Sequence, residues 1–278
     1  MAIRARTVAV LWLAASVVSA CSPGHSRAVP SSPAPPTVHP SPTPAVTPSS
    51  AAAGRSGAGA ASPFLPRQVT GSAVMVTRGS PAQRSVFLTF DAGSDAGYAG
   101  QILDTLRAAG VSATFGITGR WAEQNPALVR RMVAEGHSIV NHTYDHRSFT
   151  GVSTHSAPLS PDERIAEISH ADQVLTGLAG HPIRPWFRLP YGDGNHDVQA
   201  QVLQAGYRYV LGWTVDSLGW EGLSAPAIST RCLSRAAPGV IYLFHVGSQS
   251  QDAAALPGII QSLKDQGYGF ETVADLGA

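Results

Sequence analysis

From Ser85 onwards, short apolar runs alternate with longer runs whose apolar residues recur at helical spacing, and this alternation restricts the fold more than any other feature of the chain. Ser85 to Phe90 puts Val86, Leu88 and Phe90 on one face of a strand and Phe87, Thr89 and Asp91 on the other. A helical run from about Tyr98 to Ala109 stops at Gly110, and Ala113 to Ile117 reads as the next strand. Asn125-Pro126 opens a helix with Leu128, Val129, Met132 and Val133 on one face, and a strand from His137 to Asn141 then delivers His142. Ser160-Pro161-Asp162-Glu163 is a capping box for a long amphipathic helix carrying Ile165, Ile168, Leu175 and Leu178. Strands at Trp186 to Leu189, Arg208 to Thr214 and Val240 to Phe244 alternate with helices near Val198 to Ala205, Ala225 to Arg235 and Ala254 to Asp265, before a last strand near Glu271 to Val273.

Such an alternation implies a parallel sheet joined by right-handed crossovers. Asp91, His142, Arg188, Asp216 and His245 each fall at the C-terminal end of a strand. That end carries the active site in closed α/β barrels and in open doubly wound sheets alike, so the placement locates a site without deciding closure.

His142 and His146 are separated by three residues and can share one divalent ion. Neutral imidazole suits zinc and its first-row neighbours, and two such ligands leave the rest of the coordination sphere open for a carboxylate, water or substrate. A pair of this kind alone is weak, since loop histidines are more often solvated. Its company strengthens it: Thr89-Phe90-Asp91 upstream, and Arg188-Leu189-Pro190-Tyr191-Gly192 and Leu243-Phe244-His245 downstream.

In this order the four segments resemble the motifs of the polysaccharide deacetylases, the NodB-homology domain of carbohydrate esterase family four, over about Gln83 to Phe270. Ser112 to Phe115 and Gly119-Arg120-Trp121 are similar to family sequence as well. The resemblance implies an α/β fold, a distorted (β/α) barrel of about seven parallel strands. It also implies a metal-dependent hydrolase that removes acetyl groups from acetylated cell-wall polysaccharide, with the N-acetyl sugars of peptidoglycan first. Its cofactor is one divalent ion, zinc foremost with cobalt or manganese as alternatives, on His142 and His146. The resemblance makes Asp91 the general base, Arg188 the residue that keeps it ionised and His245 the general acid. It places the Tyr191 backbone N–H at the oxyanion, Leu243 against the acetyl methyl, and Trp220 in the sugar groove. Trp213 and Trp220 are equally readable as core residues.

Two positions depart from the family pattern. Where the family has a second, metal-binding Asp this chain has Ala92, so either Asp95, three residues on, or water must complete the coordination sphere. In Asp216-Ser217-Leu218-Gly219-Trp220, the Asp that tunes the acid histidine in the family is Gly219, and Asp216 is a possible substitute. These losses keep two rival readings open, an O-acetyl esterase and a glycan-binding pseudoenzyme. Retention of Asp91, Arg188, both metal histidines and His245 argues against the second.

At the N-terminus, Arg4 and Arg6 precede an apolar stretch from Thr7 to Val18, followed by small residues and Cys21. Residues 1–20 read as a signal peptide with a lipobox at Cys21. Residues 21–66 are rich in Pro, Ser and Ala and lack the apolar side chains to offset ordering entropy, so they are expected to form a disordered tether that includes His25 and His39. The deacetylase-like domain then spans 67–278, attached to the membrane through lipidated Cys21 outside the cytoplasm. The formal charge of +1 and the lack of a basic stripe exclude a nucleic-acid partner, and nothing implies a protein partner. Cys232 has no disulfide partner and reads as a small buried hydrophobe. His137, His155, His170, His181 and His196 read as surface or structural residues.

Overall fold

The computed structural model describes residues 71–276, so the expected signal segment, lipobox at Cys21 and tether to residue 66 lie outside the described residues. In chain order the strands are β1 (Val74–Val76), β2 (Ser85–Ala92), β3 (Thr114–Ile117), β4 (Ser138–Asn141), β5 (Trp186–Phe187), β6 (Tyr209–Leu211), β7 (Val215–Asp216), β8 (Ile241–His245) and β9 (Gly269–Glu271). The helices are α1 (Ala99–Ala109), α2 (Gly119–Gln124), α3 (Pro126–Ala134), α4 (Pro161–Ala179), α5 (His196–Gln204), α6 (Ala225–Leu233) and α7 (Asp252–Asp265). The strands form one parallel sheet in the order β1-β6-β5-β4-β3-β2-β8-β7, with β9 also paired to β2. It curls into a half-barrel, the distorted barrel that the motif pattern implies.

All seven expected strands form, and β1 and β7 are additional. Both additions are too short for an alternation to be legible: β7 is two residues, paired as Val215 with Tyr242 and Asp216 with Leu243. The last strand ends before its expected position because Thr272 caps a 3-10 turn over Val273–Asp275. Helix α2 was hidden for a similar reason. Its six residues are too few for a periodic stripe, and it is held at its start by the Thr118 side chain, which accepts from the Trp121 N–H.

The two faces of β2 divide the interior. Val86, Leu88, Phe90 and Ala92 pack toward the helices with Ile102, Leu106, Ile259 and Leu263. Phe90 is stacked between Phe115 and Phe244, with ring centroids 5.2 and 5.4 Å away. The opposite face lines the inside of the barrel, where Phe87, Val140, Trp186, Leu211 and Ile241 form an apolar floor. Above it lie Thr89 and Arg188, and at the strand ends Asp91, His142 and His245. Period-two alternation thus turns one short strand into both a packing face and a polar face inside the barrel.

Helix α4 carries the expected capping box: Ser160 Oγ accepts from the Glu163 N–H, and the Glu163 carboxylate accepts from the Ser160 N–H at 2.8 Å. Cys232 is buried, and burial pushes its thiol up to about 12, so it behaves as the inert small side chain expected. His137 is structural, its Nδ1 accepting from the Ala113 N–H at 3.1 Å, while His155, His170, His181 and His196 lie at the surface. Among the described residues no helix is long and apolar enough to cross a membrane.

Removing the central ring of the stack tests this core. Phe90→Ala is expected to cost about 3–5 kcal/mol, read as a lower urea midpoint with unchanged slope.

Candidate active site

Arg188 follows β5 and is fully buried, its backbone N–H donating to the Asn141 carbonyl at 2.8 Å. A guanidinium in such a place must find acceptors for its N–H groups. It donates to Asp91 Oδ1 at 2.7 Å, to Thr89 Oγ1 at 3.0 Å and to the Leu211 carbonyl at 3.2 Å. Thr89 in turn donates its hydroxyl to the Tyr242 carbonyl, which fixes its lone pairs toward Arg188. Burial by itself would raise the Asp91 carboxyl, yet Arg188, with smaller contributions from His142 and His245, holds it below the usual carboxylate range. Asp91 is therefore an ionised carboxylate with one oxygen engaged by Arg188 and the other, Oδ2, 3.4 Å from His142 Nε2.

His142 Nδ1 lies 3.0 Å from the Arg188 carbonyl, an acceptor that requires the proton on Nδ1. Nε2 then carries the lone pair, and it is buried without a hydrogen-bond partner in the protein. The His146 ring stands 4.7 Å from that of His142, and burial together with the neighbouring His142 presses the His146 imidazole down to about 3. Both rings are neutral at ordinary pH, as metal ligation needs.

The loop that aims these rings is held by residues absent from the motif reading. Asn141 Oδ1 accepts from the Thr143 N–H at 2.9 Å, and its amide donates to the Ile168 carbonyl and the Tyr207 hydroxyl. Glu167, buried on α4, accepts from the N–H groups of Tyr144 and Asp145 at 3.1 and 3.0 Å. Thr143 and His146 have φ of 66° and 65°, left-handed conformations that cost energy in non-glycine residues and persist where surrounding bonds impose them. A buried glutamate on an otherwise apolar helix face was the one available signal for Glu167.

β2 and β8 pair in register so that His245 lies beside Asp91. Asp91, His142, His146 and His245 line one cavity of about 570 Å³ at the C-terminal ends of the strands. Leu243, Tyr191, Trp213 and Trp220 also line it, which makes both tryptophans groove residues. Trp220 is 53 % exposed and Tyr191 50 %, so both rings present open faces at the cavity. The expected site residues are thus all brought together.

The two substitutes do not join them. Asp95 accepts from the Ser248 N–H at 2.9 Å and from the Ser248 hydroxyl, which ties it to the loop after β8 rather than to the histidines. Asp216 accepts from the Leu218 N–H and the Trp220 indole, so it braces the turn and the groove tryptophan instead of His245. Ala92 is fully buried in the apolar cluster against the helices. Among the described residues no three His, Cys, Asp or Glu side chains form a complete ligand group. The free Nε2 of His142 and the neutral His146 fit a divalent ion as a two-imidazole set, with the Asp91 carboxylate alongside.

The polysaccharide deacetylase family model matches residues 78–210. The peptidoglycan-N-acetylmuramic acid deacetylase PdaA of Bacillus subtilis is 31% identical over 201 residues, covering 71% of this chain and 73% of that protein. The crystal structure of the Bc1960 peptidoglycan N-acetylglucosamine deacetylase is similar with a TM-score of 0.67 and 31% identity, over 73% of this chain and 92% of the other. The family-four pseudoenzyme BA3943 of Bacillus anthracis is similar with a TM-score of 0.66 and 27% identity, over 74% and 69%; a mutant of it has restored enzymatic activity. The chain belongs to the polysaccharide deacetylase family of carbohydrate esterases, whose members generally use a divalent metal.

Two outcomes test the geometry. Arg188→Met is expected to destabilise the domain by about 3–5 kcal/mol in thermal or urea unfolding, because it leaves the Asp91 charge buried and unpaired. The native pair contributes stability above the unfolded carboxylate value near pH ~3.9, lost as pH falls through the lower folded value, and the variant should lack that step. Asp95→Ala is expected to loosen the loop after β8 while leaving metal content as in the unaltered protein, measured by elemental analysis; loss of metal would make Asp95 a ligand after all.

Proposed function

We propose that the protein is a metal-dependent deacetylase of cell-wall polysaccharide, acting on the N-acetyl sugars of peptidoglycan. The observation that carries this reading is one buried carboxylate, Asp91, kept ionised by Arg188 and flanked on one side by two neutral imidazoles and on the other by His245. Relatives named for deacetylation of peptidoglycan N-acetylmuramic acid and N-acetylglucosamine support the substrate class.

The exposed rings of Tyr191 and Trp220, with Trp213, offer a platform on which the apolar face of a sugar stacks, and Leu243 offers an apolar contact for the acetyl methyl. Asp91 takes the proton of the attacking water. As an anion already paired with Arg188 it needs no reorganisation to do so. The backbone N–H of Tyr191 donates to the oxygen that becomes negative in the tetrahedral state. His245 gives its proton to the departing amine nitrogen as the carbon–nitrogen bond breaks. His142 and His146 would hold a divalent ion, zinc foremost and cobalt or manganese as alternatives, which when bound acidifies water and polarises the acetyl carbonyl.

We also propose that the chain works outside the cytoplasm on a lipid anchor at Cys21, with residues 21–66 as the tether that reaches the wall. The apolar segment before Cys21 and the Pro/Ser/Ala-rich run after it support this. Ala92 favours a second reading, a glycan-binding pseudoenzyme, because it withholds one metal-binding carboxylate.

Acetate release from peptidoglycan fragments with added zinc, cobalt or manganese, combined with elemental analysis, separates the two. His142→Ala and His146→Ala are each expected to fold, lose tight metal binding and lose turnover. Asp91→Asn should retain the ion and lose turnover by about 10²-fold or more, since an amide accepts no proton. Metal-loaded protein without acetate release under any of the three ions would make the pseudoenzyme reading the correct one.

A further inference from the structure

His245 is half-buried, and its Nδ1 is a buried nitrogen with no hydrogen-bond partner in the protein. Asp252, the first residue of α7, is fully buried and close by: its Oδ2 accepts from the backbone N–H of His245 at 2.8 Å and from the Ser217 hydroxyl at 3.1 Å. Its other oxygen, Oδ1, is likewise buried and without a partner. Asp252 is bonded to the His245 backbone and not to its ring: Nδ1 and Oδ1 stand beyond ion-pair reach of each other, two buried polar atoms whose desolvation cost would be removed by a turn of the ring that pairs them.

The space around Asp252 says which position it has replaced. A Cβ built on Gly219 would lie 2.6 Å from Asp252 Oδ1 and overlap Ser250 Oγ. No side chain fits at residue 219 while Asp252 is where it is. Gly219 is the position at which the family pattern carries a carboxylate, and Asp216, the nearer alternative in sequence, is committed to Leu218 and Trp220.

We propose that Asp252 is the positioning residue of the acid histidine, its carboxylate orienting the His245 ring through Nδ1–H so that Nε2–H faces the leaving nitrogen. This rests on the deacetylase reading of the site. Asp252 touches neither substrate nor metal ligands in this role; it acts through His245. Burial raises the Asp252 carboxyl above its usual range, against the bonds from His245, Ser250 and Ser217, and a more basic carboxylate is a stronger acceptor for an imidazole N–H. The proton given to the amine comes from Nε2, and Asp252 stays a carboxylate throughout.

The test uses the full-length chain, the near-isosteric Asp252→Asn variant, His245→Gln and the double variant. Two substrates are compared: an N-acetylated peptidoglycan fragment, whose amine must be protonated to leave, and 4-nitrophenyl acetate, whose phenolate leaves unaided. Asp252→Asn is expected to lower kcat on the amide about 30- to 100-fold with KM within about twofold, and to change turnover of the activated ester by less than about threefold. In the His245→Gln background the same substitution should cost little further on the amide. Two-bond proton–nitrogen spectra of the His245 ring should show Nδ1 protonated in the unaltered protein and a changed tautomer or shift in Asp252→Asn. Equal losses on amide and ester, additive with His245→Gln, together with unchanged His245 nitrogen shifts, would make Asp252 a mere brace of the α7 terminus and overturn the proposal. Should the unaltered protein hydrolyse neither substrate, the deacetylase reading fails, and the His245 spectra alone then decide the pairing. If Asp252→Asn does not fold, Asp252→Glu takes its place, with partial retention of the amide-specific rate expected from a displaced carboxylate and an unchanged rate counting against the role.

Discussion

The buried ion pair between Arg188 and Asp91 is the interaction on which the site depends. Removing both charges from water costs several kcal/mol per ion, and the pair persists because Arg188 meets Thr89 and two backbone carbonyls as well as Asp91. Those acceptors sit on β2 and at and just after the end of β6, and Arg188 itself follows β5, so a single side chain spans the interior of the curled sheet. The apolar floor beneath it excludes water from below, which raises the worth of each of these bonds. Stability and chemistry share this arrangement: the charge that balances Arg188 is the carboxylate proposed above as the base.

His142 depends on the same residue by a second route. The Arg188 carbonyl accepts a hydrogen bond from His142 Nδ1–H and thereby leaves the lone pair on Nε2, so the backbone of the residue that pairs with Asp91 also selects the tautomer of this imidazole. His146 is set by a different mechanism, a tight loop in left-handed conformations restrained by Asn141 and Glu167. Small changes far from the cavity, such as at Glu167 on α4, are therefore coupled to the ligand geometry through two backbone hydrogen bonds.

The alternation of strands and helices was legible because β2, β3, β4 and β8 are long enough to show their faces; Asp91, His142, Asp216 and His245 at the strand ends line the cavity, and Arg188 lies buried behind Asp91. What was not legible has two physical origins. Strands of two or three residues, such as β7 and β1, owe their existence to neighbours that complete their hydrogen bonds, and no local pattern encodes that. Asp95 and Asp252 illustrate the other origin. Asp95 is near the motif in sequence yet taken up by Ser248, whereas Asp252, at the head of the helix that follows β8, belongs to no motif and meets the His245 backbone only when α7 is packed against the sheet. Motif spacing ranks polar residues poorly once the fold brings separate elements together.

The exchange between residues 219 and 252 has a physical logic of its own. A carboxylate at 219 would stand at the start of a 3-10 turn entered through Leu218, which is itself left-handed with φ of 59°. At 252 it stands in the first turn of a helix of 14 residues, where unpaired backbone N–H groups and the helix dipole favour negative charge. The two positions compete for one volume, so only one can be occupied, and glycine at 219 is the steric condition for the other. The buried carboxylate bonded to the His245 backbone thus stands at a helix start, while the turn with glycine at 219 carries Trp220 at the cavity.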